Sequence, residues 1–180
     1  MKKILCLLFA VLGAVSAKGE VVYINAPSGL CMRQIPTVES KCVGVLDYGQ
    51  KVAVVDDEPL NGWLRLEGGC YIREEYTQTS DPFEDMELLG TWRITAYTWT
   101  GNPCANGQYP TEGYTVACNS LPFGTKVYID GVGFRTVEDT DGGAMGNEWI
   151  DLYMGDYTAC VNWGDQMRKV WKVNGETYNQ

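Results

Sequence analysis

The fold of this chain is decided by the stretch Val137-Glu-Asp-Thr-Asp-Gly-Gly-Ala-Met-Gly-Asn-Glu-Trp-Ile-Asp-Leu-Tyr153. Two short apolar runs flank a glycine-rich turn, a pattern typical of strand, loop and strand. Asp139 closes the first predicted strand, and Asp151 lies inside the second. Two carboxylates on such strands can face each other across a groove. One can then be protonated while the other is ionised, as acid–base cleavage of a glycosidic bond requires.

The chain contains no histidine among its 180 residues. Histidine is the side chain that most readily exchanges protons near neutral pH, so acid–base chemistry here falls to carboxylates, lysine, cysteine or tyrosine. A cluster of Glu138, Asp139, Asp141 and Asp151 could instead bind calcium, although the spacing is not that of an EF-hand. We therefore expect acid–base chemistry at Asp139 and Asp151, with no metal and no cofactor.

The first 17 residues have the pattern of a secretory signal peptide. Lys2 and Lys3 form a positive start, residues 4–15 are apolar, and Val15-Ser-Ala17 supplies the small residues of a cleavage site. The apolar run is shorter than a membrane-spanning helix requires. We therefore predict cleavage after Ala17 and a secreted chain, residues 18–180, that has no membrane anchor.

This cleavage would change the formal net charge from −9 to −11, because it removes the two lysines of the signal segment. A strongly acidic surface repels phosphate backbones and anionic lipid headgroups, so neither nucleic acid nor membrane is an expected partner. The charge does not exclude a polysaccharide that carries amide and hydroxyl groups.

Six cysteines remain after the predicted cleavage. An even number in an exported chain indicates disulfide bonds, up to three of them. Three precede residue 80 and three follow it, so two bridges within the halves and one between them would fit, as would a free thiol in each half. The absence of a Cys-x-x-Cys pair argues against structural zinc. The six are Cys31, Cys42, Cys70, Cys104, Cys118 and Cys160.

The composition divides the chain into two parts. Twenty-one glycines and short β-branched and aromatic runs between turn residues predict an all-β chain, with one helical turn at 156–163. The acidic segment 78–88 contains a proline and separates two sets of strands, so we assign 18–77 and 89–176 as domains and 78–88 as a linker. The strands predicted in the first domain are 20–25, 30–33, 43–45, 50–56, 63–66 and 69–72.

Four motifs in the first domain resemble the SH3-like domains of bacterial cell-wall proteins. They are Gly29-Leu-Cys-Met-Arg33, Gly44-Val-Leu-Asp-Tyr-Gly49, Gly62-Trp63 and Gly69-Cys-Tyr-Ile72. The resemblance covers residues 21–77 and implies a small β-barrel that binds a peptidoglycan peptide or another wall component. Cys31 departs from the pattern, because that family usually has asparagine at this position.

The second domain carries an ordered series of motifs that resembles the 3D domain, named for three aspartates. The series is Gly90-Thr-Trp-Arg-Ile-Thr-Ala-Tyr97, Gly113-Tyr-Thr-Val-Ala-Cys-Asn119, Leu121-Pro-Phe-Gly-Thr-Lys-Val-Tyr-Ile129, Glu138-Asp-Thr-Asp-Gly-Gly143, Ile150-Asp-Leu-Tyr153 and Ala159-Cys-Val-Asn-Trp-Gly164. The resemblance covers residues 89–173 and implies a six-stranded double-psi β-barrel. That barrel is the catalytic domain of MltA-type lytic transglycosylases and of resuscitation-promoting muralytic proteins.

By this resemblance Asp151 is the catalytic acid and Asp139 is its supporting carboxylate. Asp151 would protonate the leaving O4 of a MurNAc–GlcNAc bond and then accept the proton of the C6 hydroxyl, which leaves a 1,6-anhydro sugar. An ionised Asp139 would keep Asp151 neutral and favour the positive transition state. The resemblance thus implies a cell-wall-associated lytic transglycosylase that acts on peptidoglycan glycan strands, and we expect a monomer.

The same resemblance names residues that would bind the sugar. Thr95 could hydrogen-bond an N-acetyl or hydroxyl group, and Tyr97 could either stack on a pyranose ring or be a half-buried barrel residue. Trp99 and Trp149 flank the expected site, whereas Trp163 is expected in the core. The substrate-binding candidates are Thr95, Tyr97, Asn119, Gly142, Gly143 and Trp149.

Two positions depart from the family pattern. Asn119 is nearest to the third aspartate of the family, and an amide cannot exchange protons. Asp141 stands where the family usually has glycine. Its carboxylate either raises the pKa of nearby groups or, as we prefer, only keeps the loop solvated. Because of Asn119, two alternatives to the transglycosylase remain, namely a barrel that only binds glycan and a hydrolase in which water replaces the C6 hydroxyl.

Overall fold

A computed structural model describes residues 20–55, 59–143 and 146–175. The predicted signal segment and its cleavage site therefore lie outside the described residues, as does Asp56 at the end of one predicted strand. Within the described residues the chain has thirteen strands, one 3-10 turn at Glu74–Tyr76 and one α-helix. The prediction of an all-β chain is confirmed.

The first seven strands surround one hydrophobic core. They form a three-stranded sheet of order β4–β1–β7 and a four-stranded sheet of order β3–β2–β6–β5, joined by a bridge between Val54 and Leu66. Two sheets thus enclose this core, where a single small barrel was predicted. The strands are β1 (Val21–Ile24), β2 (Leu30–Arg33), β3 (Cys42–Leu46), β4 (Lys51–Ala53), β5 (Trp63–Arg65), β6 (Tyr71–Arg73) and β7 (Thr77–Gln78).

Alternation along these short strands fills the core. In β1, Val22 and Ile24 are buried, as expected when successive side chains point to opposite faces. A disulfide bond joins Cys31 to Cys42 across β2 and β3. The remaining described cysteines are thiols, namely Cys70, Cys104, Cys118 and Cys160.

The last six strands close into a barrel, which confirms the predicted six-stranded barrel. The order around it is β10–β11–β9–β12–β8–β13. Two neighbouring pairs, β9 with β11 and β8 with β12, run parallel, and the other pairs run antiparallel. The strands are β8 (Met86–Tyr97), β9 (Thr115–Ala117), β10 (Lys126–Ile129), β11 (Gly133–Asp139), β12 (Trp149–Tyr153) and β13 (Gln166–Val173).

The barrel interior is filled by aliphatic side chains from all six strands. Ile94, Val116, Val127, Ile150 and Val170 have no exposed surface. Each of them alternates with neighbours that point outward, so the groups that can meet a ligand lie on the outer surface of the barrel.

The predicted helical turn is helix α1 (Tyr157–Trp163), which connects β12 to β13. The side chain of Asp156 accepts hydrogen bonds from the backbone of Thr158 and Ala159 and so caps its first turn. Trp163 packs against the barrel core, as predicted, and its Nε1 donates to the Ile94 carbonyl at 3.1 Å. No helix in the described part of the chain is long and apolar enough to cross a membrane.

An aromatic cluster joins the two cores. The rings of Tyr48 and Tyr128 lie 4.7 Å apart, and Phe83 stacks on Trp171 at 4.6 Å. Phe83 belongs to the predicted linker, so part of that segment is packed, and β8 begins within it, at Met86. A Cβ on Gly49, whose φ is +73°, would lie 2.1 Å from the Phe83 ring, so glycine is required there.

Candidate active site

A row of paired residues crosses four neighbouring barrel strands. Ala117 on β9 pairs with Asp139 on β11 and with Asp151 on β12, and Asp151 pairs in turn with Thr95 on β8. Paired residues point to the same face of a sheet, and strands lie about 4.8 Å apart. The Cα atoms of the two aspartates are therefore about 10 Å apart across the small Ala117 side chain.

A shift in register places Asp139 in this row. Along β11, Val137 pairs with Val116, but the next pair is Asp139 with Ala117, so Glu138 is the extra residue. Glu138 instead accepts a hydrogen bond from the Thr115 hydroxyl at 2.6 Å. Of these two neighbouring carboxyl groups, only that of Asp139 lines the groove, because Glu138 is bonded to Thr115.

Three residues of this row, Ala117, Asp139 and Asp151, line a groove with a volume of about 540 Å³. On β12, Ile150 and Leu152 are buried in the core, so Asp151 between them points outward and is half-buried. The opposite wall is the connection between β8 and β9, which contributes Thr100, Pro103 and Ala105. This connection was not assigned from the sequence, because it forms no regular element.

A chain of hydrogen bonds orients Asp151. The Nε1 of Trp149 donates to Thr95 Oγ1 at 2.8 Å, and the Thr95 hydroxyl donates to Asp151 Oδ1 at 2.8 Å. Since the Thr95 oxygen accepts from the indole, its single proton is directed to Asp151. Oδ1 is then an acceptor, and Oδ2 is the oxygen that carries the proton when Asp151 is neutral.

Trp149 is fixed from its other side. The Arg93 guanidinium lies 3.8 Å from the centre of the indole ring and forms a salt bridge of 2.7 Å with Asp165. This stacking covers one face of Trp149. Trp149 therefore supports the orientation of Thr95. Its role in a sugar subsite stays a prediction.

The environment of Asp151 favours its neutral form. Burial raises the pKa of this carboxyl group, and the negative charges of Asp141 and Asp139 raise it further. The hydrogen bond from Thr95 acts in the opposite direction. Burial is the largest of these effects, so Asp151 keeps its proton to a higher pH than an exposed aspartate does.

Asp139 accepts three hydrogen bonds. The backbone N–H groups of Ala105 and Thr140 both donate to Oδ1 at 2.8 Å, and the hydroxyl of Tyr97 donates to Oδ2 at 3.1 Å. Burial, followed by the charge of Asp139, raises the pKa of Tyr97, so the phenol remains a donor. The three donors thus engage both carboxyl oxygens of Asp139.

Asn119 and Asp141, the two departures from the family pattern, contact each other. Asn119 Nδ2 donates to Asp141 Oδ1 at 2.6 Å, and the Asp141 N–H donates back to Asn119 Oδ1 at 3.3 Å. Asp141 Oδ1 also accepts from the Gly143 N–H at 2.9 Å. Asp141 lines the groove, so the interpretation that it only solvates the loop does not describe its position.

The glycines of the loop meet different surroundings. Gly142 lines the groove with φ of +73°, a conformation that favours glycine. The backbone N–H of Gly143 donates a hydrogen bond to the Asp141 carboxylate.

Trp99 lies on the β8–β9 connection, with 45% of its surface exposed, and its ring lies 5.8 Å from that of Tyr109.

Two thiols lie near the aspartates. Burial raises the pKa of Cys104, and the charges of Asp139 and Glu138 add to that effect. Burial likewise raises the pKa of Cys160, and Asp151 contributes. Both thiols are therefore less readily ionised to the reactive thiolate than an exposed cysteine is. Among the described residues, no group of three or more histidine, cysteine, aspartate or glutamate side chains is arranged to hold a metal ion.

The fold and the groove define a class of protein, a closed six-stranded barrel with carboxylates held on its outer face. The model of the 3D domain matches residues 114–174, which run from β9 to the end of β13. The B-enzyme of Bacillus subtilis is 37% identical in an alignment 93 residues long, and the match covers 39% of this chain and 80% of that protein. The chain belongs to the 3D-domain family.

A second relative is similar over a shorter stretch. The cell wall-binding protein YocH of Bacillus subtilis strain 168 is 38% identical over 56 residues. These are 31% of this chain and 19% of YocH, so the chain spans only a small part of that relative.

Proposed function

We propose that this chain is an exported bacterial cell-wall protein that cleaves the MurNAc–GlcNAc bond of peptidoglycan as a lytic transglycosylase. The observation that carries the proposal is the pair of unlike carboxyls, Asp151 favoured neutral and Asp139 held by three donors. When two carboxyl groups have unlike surroundings, one can act as the acid and the other as a stabilising anion. The similarity to a protein named cell wall-binding protein supports the cell-wall location, and the similarity to the B-enzyme supports an enzymatic role.

The reaction needs one proton carrier and no water. Asp151 gives its proton to O4 of GlcNAc as the bond from that oxygen to C1 of MurNAc breaks. The C6 hydroxyl of MurNAc then bonds to C1, and its proton passes to the Asp151 carboxylate. Asp151 ends neutral, and the products are a free O4 hydroxyl and a 1,6-anhydro ring.

Asp139 contributes charge without exchanging protons. The positive charge that develops at C1 is stabilised by a fixed anion in the groove. Two of the three donors to Asp139 are backbone N–H groups, which hold the carboxylate in one position throughout the reaction. Tyr97 donates the third bond and lines the groove, where a sugar ring can pack against it.

The pH dependence follows from the role of Asp151. A general acid works only while it is protonated, so the rate falls as pH rises through the pKa of Asp151. Since burial raises that pKa, activity extends to a higher pH than an exposed aspartate would allow.

Mass spectrometry of digested cell-wall sacculi tests the proposal. Sacculi treated with the parent protein should release muropeptides ending in 1,6-anhydro-MurNAc, and Asp151→Asn should not release them. Reducing-end MurNAc would instead identify a hydrolase on the same groove. Intact strands that retain bound protein would identify a binding barrel, an alternative that the name of the YocH relative favours.

We further propose that residues 18–77 are an SH3-like domain that holds the enzyme on the wall through a peptide or another wall component. The aromatic cluster of Tyr48, Phe83 and Tyr128 would keep that domain close to the barrel. Sedimentation of sacculi with a variant that lacks residues 18–77 tests this role, because that deletion leaves all of β8 in place. Binding should weaken, whereas cleavage of short soluble glycans should continue if the barrel remains folded by circular dichroism.

A further inference from the structure

We propose that Asn119 and Asp141 act as one unit, in which the amide holds the Asp141 carboxylate in the groove as a third carboxylate that acts on Asp151. Asp141 is then a positioning residue rather than a solvated loop residue. The inference rests on the proposed acid role of Asp151, and it adds a residue that controls this acid.

The strand register explains why the two side chains meet. Ala117 pairs with Asp139 in the parallel ladder of β9 and β11. In a parallel ladder the next pair on the same face lies two residues further along both strands, at Asn119 and Asp141. The strands have ended by that point, and the side-chain hydrogen bonds continue the ladder in their place.

The amide and the carboxylate are matched as donor and acceptor. Asp141 Oδ1 accepts from Asn119 Nδ2 at 2.6 Å and from the Gly143 N–H at 2.9 Å, and both bonds favour the ionised carboxylate. Asn119 Oδ1 accepts from the Asp141 N–H at 3.3 Å, so both ends of the amide are used. Two bonds therefore hold the Asp141 carboxylate, and a third holds its backbone N–H against Asn119.

The position of Asp141 directs its charge at Asp151. Both side chains line the same groove, with Asp139 as the third carboxylate in it. The negative charges of Asp141 and Asp139 both raise the pKa of Asp151, and the effect of Asp141 is the larger of the two. Removing this charge should release the Asp151 proton at a lower pH.

Titration of the Asp151 carboxyl carbon by NMR tests the inference without requiring activity. In Asp141→Asn the Asp151 titration should move to lower pH than in the parent. Asp130→Asn is the matched control, because it removes the same charge near the other end of β11, about 20 Å away. An Asp151 titration that is unchanged in Asp141→Asn would overturn the inference.

The rate of release of the anhydro product gives a second readout. On the alkaline side of the profile, Asp141→Asn should be about three- to tenfold slower than the parent, and the difference should vanish at acid pH. Absence of anhydro product from the parent would refute the proposed function and leave the titration result intact, so the two failures are distinguishable.

An exchange of the two residues tests whether they form a unit. Asn119→Asp alone should slow the reaction, because it sets two carboxylates against each other at a contact of 2.6 Å. The double variant Asn119→Asp with Asp141→Asn restores one amide and one carboxylate, and it should recover much of the rate. No recovery beyond the single variant would contradict the pairing.

Discussion

On the β12 side of the groove, Asp151 is oriented by side chains, because Thr95 and Trp149 form the chain of donors that reaches it. On the β11 side, Asp139 is held mostly by backbone, through the N–H groups of Ala105 and Thr140. A position set by side chains changes with a single substitution, whereas one set by backbone donors changes only with the path of the loop. The acid is thus the more adjustable of the two groups.

The largest effect is expected at the acid itself. Asp151→Asn keeps the shape of the side chain and still accepts from Thr95, but it has no proton to transfer. We expect turnover to fall by about 10²–10⁴-fold, with glycan binding largely retained. The rate of release of 1,6-anhydro muropeptides, with binding to sacculi measured in parallel, checks this. A variant that digests sacculi as fast as the parent would require another acid.

A smaller loss is expected on the backbone-held side. Asp139→Asn removes the fixed anion and leaves the acid in place, so turnover should fall by roughly 10–100-fold. Its amide oxygen can still accept from both backbone N–H groups, and its amide nitrogen would face the Tyr97 hydroxyl, which would then accept instead of donate. Glu138→Gln, which changes the neighbouring carboxylate outside the groove, is the matched control and should stay within about twofold of the parent. Equal losses in the two variants would refute a specific role of Asp139.

Thr95→Val tests the side-chain-held side through its donor. Valine has the shape of threonine without the hydroxyl, so the Oδ1 atom of Asp151 loses its partner and the rate should fall by about tenfold. The Thr95 hydrogen bond lowers the pKa of Asp151, so its loss should raise that pKa and move the alkaline limb to higher pH.

Trp149→Phe serves as the companion variant for Thr95→Val. It removes only the indole donor to Thr95 and should cost less, because the threonine hydroxyl is still present. An alkaline limb that moves to lower pH in Thr95→Val would contradict the direction of this hydrogen bond.

The smallest expected effect concerns stability. Because the pKa of Asp151 is higher in the folded chain than in the unfolded chain, the folded state binds more protons, and stability falls as pH rises between those two values. Asp151→Asn removes this decrease in stability, because asparagine does not ionise. Its Tm should exceed that of the parent by roughly 1–3 °C at neutral pH and should equal it below the pKa of an unfolded aspartate. Thermal unfolding at both pH values measures the difference, and a lower Tm at neutral pH would contradict it.

The six-stranded barrel was predicted from the resemblance to the 3D domain, and alternation along one strand predicted the direction of Asp151. The apolar neighbours of Asp151 indicated its outward direction, and the helical turn predicted at 156–163 is helix α1. The backbone donor of Ala105 to Asp139 was not predicted, because Ala105 lies on a connection without periodic pattern. The contact between Asn119 and Asp141 depends on the register of β9 against β11, which includes the irregularity between Val137 and Asp139. The register between two strands that are distant in sequence cannot be predicted from either strand alone.

In the first seven strands, the sequence predicted the strand positions more closely than their assembly. Strand β2 lies at Leu30–Arg33 as predicted, and β1 differs from its predicted bounds by one residue at each end. The division into two sheets was missed, because turns specify which strands are consecutive but not where a curved sheet separates. The SH3-like assignment of this region stays a prediction.

The hydrogen bonds that build the groove have a consequence for how the chain folds. They join Thr95 to Asp151, Tyr97 to Asp139 and Ala105 to Asp139, across 56, 42 and 34 residues of sequence. Contacts between such distant residues form slowly, since the entropy of closing long loops must be offset first. No short fragment of the chain contains both aspartates with their donors. Activity should therefore emerge in a refolding experiment only with barrel closure, later than the local hairpins.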